Sequence, residues 1–147
     1  MPTSAADFIA RGKVTAVRDD NNILVFQPAG TNYELHLASR GGDRYAGPLG
    51  ALVEGRIRVA ARKVLTVPSG GNFVEPIFGQ PRTLQGRVRH IEDGRLVVQA
   101  GAPIIVDLPT ADSALDLTNG PVGVGSLVNI MALPGATFDL IGAAVPR

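Results

Sequence analysis

The 147-residue chain contains no cysteine and no tryptophan. Without cysteine, a disulfide framework and a thiolate metal site are both excluded. A run of about 18 apolar residues occurs nowhere, so the pattern predicts no transmembrane helix. The first residues, MPTSAADFIARGK, have no charged segment followed by an apolar core. We therefore expect a cytoplasmic protein with no secretory signal and no membrane partner.

Aromatic residues are scarce, with five Phe and two Tyr. Proteins that read single-stranded nucleic acid stack bases on exposed rings, each worth roughly 1–3 kcal/mol. Three phenylalanines lie in apolar runs and are predicted core residues: Phe26, Phe78 and Phe138. The candidates that remain for a stacking platform are Tyr33, Tyr45 and Phe73. This scarcity disfavours base recognition and leaves contacts to phosphate alone as the nucleic-acid alternative.

Glycine and proline are frequent, at 18 and 11 residues, and they separate short apolar runs. Such punctuation is typical of many brief strands joined by turns. It predicts an all-β protein and disfavours long helices.

The two halves of the chain carry similar patterns at a nearly constant spacing. Gly12 matches Gly86 at an offset of 74, and the run LVFQ at 24–27 matches LVVQ at 96–99 at an offset of 72. The offset changes only inside stretches that read as turns. We infer a tandem internal duplication. The predicted units are residues 1–82 and 83–147.

Each unit is predicted to contain five strands. In the first strand of each unit, the best apolar positions are three apart instead of two, Val14 and Val17 in unit one and Val88 and Ile91 in unit two, which indicates a β-bulge. The fourth and fifth strands are expected to form a hairpin in each unit, and Thr110 is expected to cap a short helix. The predicted strands are residues 8–18, 23–27, 33–38, 55–67 and 73–78, followed by 84–92, 95–99, 103–108, 126–133 and 137–141.

The later matches reveal an asymmetry between the units. Leu35 pairs with Val106 and Val53 with Val124 at an offset of 71, but IFG at 77–79 pairs with LIG at an offset of 63. Unit one therefore carries eight extra residues, predicted to form a longer hairpin arm. An arm that cannot bury itself must pack against the sister unit or another chain. The candidate interface residues of this arm are Val64, Leu65, Val67, Phe73 and Val74.

Five strands with a bent first strand resemble the OB-fold and its relatives, which include small barrels that bind oxyanions in transport proteins. The resemblance implies two tandem barrels of five to six strands, OB-like or SH3-like. Exchange of strands between the two halves would produce nearly the same sequence pattern. The oxyanion-binding relatives also occur as tandem pairs and hold the ligand at the seam between units. That likeness implies a site of backbone amides and small polar residues near the seam, but no binding residue matches position by position.

Charge is uneven along the chain. Residues 56–95 carry eight basic and three acidic side chains, whereas residues 96–147 carry one and four. Alternation puts Arg56 and Arg58 on the solvent face, opposite Ile57 and Val59. Such a stripe suits phosphate groups, or an acidic patch on a partner. The candidate contact residues are Arg56, Arg58, Arg62, Lys63, Arg87 and Arg89.

The sequence contains no recognisable catalytic constellation. His36 and His90 lie in strand patterns without a spaced Ser, Cys or second His, and two isolated histidines are no metal signal. Acidic and amide residues at 19–22 are typical of a hairpin turn. The glycine-rich segment at 120–125 precedes a strand, so it lacks the helix terminus of a phosphate-binding loop. We predict no enzyme activity, no cofactor and no metal.

These observations predict a non-enzymatic binding or assembly module that acts as a structural subunit or adaptor of a larger complex. The expected partner is another protein or a second copy of the chain, which would form a homo-oligomer. Two alternatives remain open, namely nucleic-acid binding through the phosphate backbone and the binding of a small oxyanion by tandem barrels.

Overall fold

A computed structural model describes residues 4–18, 22–40 and 44–143. The predicted all-β class is confirmed, and every strand predicted from sequence overlaps an observed one. A 3-10 turn at Ala5–Asp7 precedes the sheet, and another at Asp112–Ala114 replaces the short helix expected after Thr110. The strands are β1 Ala10–Arg18, β2 Ile23–Pro28, β3 Glu34–Ser39, β4 Leu52–Thr66, β5 Phe73–Glu75, β6 Phe78–Gly79, β7 Thr83–Glu92, β8 Arg95–Gln99, β9 Pro103–Asp107, β10 Leu115–Asp116, β11 Leu127–Ala132 and β12 Thr137–Ala143.

The strands form one mixed sheet whose pairings follow two circuits. In the first circuit, β1, β2 and β3 are antiparallel neighbours, β12 lies parallel to β3, and β4 pairs with both β12 and β1. In the second, β7, β8 and β9 are antiparallel neighbours, β4 lies parallel to β9, and β11 pairs with both β4 and β7. The long β4 thus belongs to both circuits, and each half supplies a strand to the other.

The predicted bulge is confirmed in the first strand of each half. The register shifts between Val14 and Ala16 in β1 and between Val88 and His90 in β7. Two residues before each bulge, a glycine permits close strand approach. A Cβ added at Gly12 would overlap the carbonyl oxygen of Gln27, and one at Gly86 would overlap that of Gln99. Glycine is required here by the neighbouring backbone, as is common where a strand bends.

The predicted hairpins between the fourth and fifth strands are wrong. β5 pairs with β7 and β6 with β3, while β12 pairs with β3 and β4. The physical reason is the length of β4, which has 15 residues. Its backbone groups need partners along their whole length, and strands of both halves supply them. The segment predicted to project as an arm instead pairs with β10 and β11.

The sequence alignment of the third and fourth strands is also wrong. Leu35 lies opposite Phe26 and Ile104 opposite Val98, so Leu35 corresponds to Ile104 instead of Val106. In the fourth strands, Val53 faces Gly12 and Val128 faces Gly86, which pairs Val53 with Val128 instead of Val124. Shifts by an even number of residues keep the same side chains on the core face, so apolar alternation does not detect them.

The main core draws residues from both halves of the chain. Phe138 of β12 packs against Phe26 of β2 with ring centroids 4.7 Å apart, and both rings are fully buried together with Leu24, Ile57 and Ile130. Two sequence expectations about aromatic rings are wrong. Phe78, predicted in the core, is 61% exposed, whereas Tyr45 is buried and donates its hydroxyl to the carbonyl of Pro48 at 2.8 Å.

A second apolar cluster attaches the N-terminal turn to the second half. Ala5 and Phe8 are buried against Val97 of β8 and Ile105 of β9. The backbone N–H of Ala5 donates to Glu92 Oε1 at 2.6 Å. The turn itself is closed by reciprocal bonds between Ser4 and Asp7, a capping box. The first residues of the described chain therefore lie on strands from the opposite half.

Candidate functional site

The outer face of β4 presents two arginines side by side, as predicted. Ile57 and Val59 are buried in the core, and Arg56 and Arg58, which alternate with them along the strand, point to the other face. Strand alternation alone accounts for this placement. It brings two guanidinium groups to one surface, where the neighbouring strands and the N-terminal turn complete a cavity.

This arginine cavity has a volume of about 80 Å³ and is lined by both halves of the chain. Arg40 lies just after β3, Arg56 and Arg58 lie on β4, and Arg95 begins β8. Residues Ser4–Ala6 form one wall, and Asp139 of β12 lies among the arginines. Four cations thus converge from three strand regions, beside an uncharged wall from the N-terminal turn.

One pair of these arginines is fixed by Asp107 at the end of β9. Arg58 donates through Nε and Nη2 to the two carboxylate oxygens at 2.7 and 2.8 Å, and Arg95 Nε donates at 3.1 Å. Partial burial by itself would raise the pKa of Asp107, but the hydrogen bonds from Arg58 and Arg95 outweigh it and hold the pKa below its usual value. Two guanidiniums share one carboxylate, and the bidentate geometry holds Arg58 in place.

The second pair is held more loosely by Asp139. Its Oδ2 lies 3.5 Å from Arg40 Nη1 and 3.6 Å from Arg56 Nη1. Arg56 also donates through Nε to the carbonyl of Ala6 at 2.7 Å. Arg95 Nη1 also lies 3.6 Å from Glu92 Oε2. The four arginines therefore pair with three carboxylates, and N–H donors remain on each guanidinium, which carries five.

The carboxylate that anchors the N-terminal turn is also stabilised in its charged form. The backbone hydrogen bond from Ala5, followed by the hydrogen bond from His90, lowers the pKa of Glu92. His90 Nε2 lies 3.0 Å from Glu92 Oε1, and its ring packs against Phe8 with centroids 5.5 Å apart. Ionised Glu92 thus holds the wall of the arginine cavity in place.

Acid is expected to destabilise the fold through Asp107 and Glu92. Their pKa values are lowered in the folded chain, so their stabilisation is complete above their ordinary pKa values and is lost as the pH falls through the folded ones. Thermal unfolding from pH 7 to about pH 2.5 measures this loss. Asp107→Asn should melt lower at pH 7 and lose less on acidification than wild type, whereas the exposed turn variant Asp93→Asn should follow wild type. An equal acid loss in Asp107→Asn contradicts the assignment.

The structure places two of the six predicted basic contacts, Arg56 and Arg58, in the arginine cavity and the other four outside it. Arg62 lies outside the arginine cavity, with Nη2 3.8 Å from Met131 Sδ, and Lys63 is also outside. Arg87 and Arg89 lie on β7, in a different groove. Sequence reasoning missed Arg40 and Arg95 as members of the cavity. Arg95 faces Asp107 across the β8–β9 ladder, a pair that the correct register would have indicated.

The predicted interface arm packs within the chain. Val64 and Val74 are fully buried in the core, and Leu65, Val67 and Phe73 are half-buried. Val64 lies opposite Ile130 of β11, and Val74 opposite Leu84 of β7. Of the two sequence interpretations of this segment, packing against the sister half agrees with these contacts.

The histidines lie apart from the arginine cavity. His36 packs edge-on against Phe78 at 4.5 Å, and its Nε2 is buried with no hydrogen-bond partner in the described chain. The shifted alignment of the third strands makes Ile105 the counterpart of His36, since His36 lies opposite Val25 and Ile105 opposite Val97. Asp19, Asp20 and Asn21 of the predicted turn lie outside the described residues.

Within residues 4–18, 22–40 and 44–143, no group of three or more His, Asp or Glu side chains is arranged to hold a metal ion. In the same ranges, no helix has the length and apolar character needed to cross a bilayer. Comparison with family models, with curated proteins and with solved structures finds no match to this chain.

Proposed function

We propose that this chain is a non-enzymatic binding protein whose arginine cavity takes a small oxyanion such as phosphate or sulfate. The observation that carries the proposal is the convergence of Arg40, Arg56, Arg58 and Arg95 on one cavity. Asp139 is the acidic residue among its described lining residues, and with Asp107 and Glu92 behind the arginines the four cations exceed their three partner carboxylates by one. Arginine is the residue best suited to planar, multidentate recognition of oxyanions. An oxyanion here would be neutralised without a metal or a bound counter-ion.

The size of the cavity restricts the ligand. Sites for organic small molecules usually measure about 300 Å³ or more, whereas this cavity measures about 80 Å³. A single tetrahedral or planar oxyanion suits this volume, and a nucleotide base does not. Arg58 and Arg95 are already fixed by Asp107 and are thus preorganised for a ligand.

We further propose that the two circuits are two small barrels derived from an internal duplication, each completed by a strand from the other half. The matching bulges after Val14 and Val88 support this, as do the equivalent glycine contacts at Gly12 and Gly86. The position of the arginine cavity between residues of both halves agrees with the seam site that the resemblance to tandem oxyanion-binding barrels implies.

Isothermal titration of the chain with phosphate and with sulfate tests the oxyanion proposal. Arg56→Gln should weaken binding by about ten- to a hundredfold, because it removes a charge-assisted donor worth roughly 1.5–3 kcal/mol. The more exposed Arg40→Gln should weaken it a few-fold. Arg62→Gln, on the same strand but outside the cavity, is the control for lost net charge and should bind as wild type. Equal losses in all three variants would argue for unspecific charge attraction instead.

Removal of the Asp139 carboxylate is expected to have the opposite effect and to strengthen phosphate binding. Asp139 pairs with Arg40 and Arg56 at 3.5 and 3.6 Å, so it competes with a bound anion for both. Asp139→Asn should therefore bind phosphate several-fold more tightly than wild type, as measured by the same titration. Weaker binding in this variant would mean that Asp139 positions the arginines for something other than an oxyanion.

Assembly with a protein partner or a second copy is the second candidate function. It is favoured by Ile77 and Phe78, two adjacent apolar side chains that are 60% and 61% exposed. We expect light scattering after gel filtration to give a mass above that of one chain. Ile77→Ser with Phe78→Ser should return the mass to a single chain, while Leu133→Ser, at another exposed apolar position, should leave it unchanged. A single-chain mass for wild type would contradict self-assembly.

A further inference from the structure

A groove separate from the arginine cavity lies between β7 and the glycine-rich loop that follows β4. It has a volume of about 340 Å³ and shares no lining residue with the arginine cavity. That volume falls in the range of sites for small organic ligands. The side chains on which the argument depends are Asn72, Arg87, Arg89 and Gln99. We call it the β7 groove.

The two arginines of the β7 groove are not committed to carboxylates. Ion pairs with described carboxylates hold arginines elsewhere in the chain, such as Arg11, Arg58 and Arg95. Neither Arg87 nor Arg89 has such an ion pair within the described residues, and the described lining of the β7 groove contains no acidic residue. Two positive charges on one groove therefore lack an internal counter-charge.

Both guanidiniums are nevertheless held in position. Arg87 Nη1 donates to the carbonyl of Gly125 at 3.0 Å, and Arg89 Nη1 donates to Gln99 Oε1 at 3.0 Å. Arg89 also stands over the Phe8 ring, 5.4 Å from its centroid. These hydrogen bonds use one of the five N–H groups of each guanidinium. Side chains ordered in advance lose less entropy when a ligand binds.

The opposite wall is anchored by a buried polar network. Gln85 is buried and donates through Nε2 to the carbonyl of Gly71 at 2.8 Å, while Asn129 Nδ2 approaches Gln85 Oε1 at 3.4 Å. A Cβ at Gly71 would meet no atom within 4 Å, so the loop backbone faces open space. The network fixes a loop that has little apolar contact of its own, which gives the groove a defined second wall.

We propose that the β7 groove binds a phosphate monoester carried on a polar, hydroxyl-bearing body, such as a sugar phosphate. Two guanidiniums match the double charge and the oxygens of a monoester. The amides of Asn72 and Gln99 offer donors and acceptors to hydroxyl groups. Among the described lining residues there is no aromatic ring on which a base would stack, so the groove favours a sugar over a nucleobase.

The first half of the chain contains a matched control groove. Lys13 lies opposite Gln27 in the β1–β2 ladder, as Arg87 lies opposite Gln99 in the β7–β8 ladder. Lys13 and Gln27 line a groove of about 250 Å³. Thr15 stands in the bulge where β7 has Arg89, so the control groove has one cation and lacks the arginine pair.

Titration of the full chain with glucose 6-phosphate, followed by calorimetry at low salt, tests the proposal. Arg87→Gln with Arg89→Gln should weaken binding about a hundredfold, on the basis of about tenfold for each charged contact. Lys13→Gln should leave it unchanged, and glucose alone should not bind. Melting temperatures equal to wild type would verify that the exposed substitutions leave the fold intact.

The proposal would be overturned by wild-type affinity in the double variant, by an equal loss in Lys13→Gln, or by equal binding of glucose. Loss of oligonucleotide binding in the double variant, with no binding of glucose 6-phosphate to wild type, would replace the monoester by a nucleic-acid backbone and would also overturn it. Arg40→Gln leaves the β7 groove intact and should bind glucose 6-phosphate as wild type. The proposal for the arginine cavity is therefore tested independently of the proposal for the β7 groove.

Discussion

Fragments 1–82 and 83–147, produced separately, are each expected to be unfolded, and mixing them is expected to restore the native fold. The second circuit runs through β7, β8, β9 and β11 but is completed by β4. Without β4, fragment 83–147 exposes the edges of β9 and β11 together with core residues Ile104 and Ile130, which are fully buried in the whole chain. A sheet with an open hydrophobic face and two free edges is not stable in water.

The first fragment loses β12 in the same way. Phe138 fills the centre of the first circuit, and β12 is the neighbour of both β3 and β4. Circular dichroism and amide-proton dispersion of each fragment, and of their equimolar mixture, measure the effect. A useful control is the full chain cleaved after folding at a protease site inserted in the linker 80–82, which should stay folded. A dispersed spectrum from 83–147 alone would contradict the dependence on β4.

Phe138→Ala is expected to lower the free energy of unfolding by about 3–5 kcal/mol. That is a large part of the roughly 5–15 kcal/mol that stabilises a typical domain. The ring of Phe138 is 1% exposed and packs against both Phe26 and the backbone at Gly55, where an added Cβ would overlap it. Urea unfolding measures the change. Phe78→Ala removes an equally large ring that is 61% exposed, and it should change stability by about 0.5 kcal/mol or less.

Gly55→Ala completes a double-mutant cycle with Phe138. Alone it should be destabilising, because its Cβ would overlap the Phe138 ring. In the Phe138→Ala background the overlap with the ring is gone, so the added methyl should cost less. Its close contact with the carbonyl oxygen of Asp139, at 2.8 Å, remains, so Gly55→Ala should still be destabilising there. Contacting residues couple by about 0.5–3 kcal/mol. Strict additivity of the two substitutions would mean that Phe138 does not occupy the space beside Gly55.

Local patterns predicted the strands of this protein because each pattern depends on a few neighbouring residues. Alternation in residues 56–59 predicted which side chains of β4 are buried, and the spacing of Val14 and Val17 predicted the bulge in β1. Such periodicities are properties of a strand against any apolar surface. The arginines at 56 and 58 could therefore be assigned to the solvent face before any partner strand was known.

The same patterns did not predict Phe78. An apolar run at 77–78 resembles the end of a core strand, but β6 has only two residues, and its phenylalanine lies outside against His36. The prediction of a hairpin arm was wrong for a related reason. Residues 64–66 have the alternation of a strand, and the pattern carries no information about whether β5 or β11 is the neighbour.

The sequence by itself determined the all-β class, the position of most strands and the outward direction of the basic side chains on β4. Only the tertiary structure decided that β4 serves both circuits, that β12 returns to the first half, and that Arg40, Arg56, Arg58 and Arg95 meet around one cavity. The physical reason is that strand direction and burial follow from neighbouring residues, whereas the choice of partner strand depends on pairing every backbone group of the sheet at once, across the whole chain.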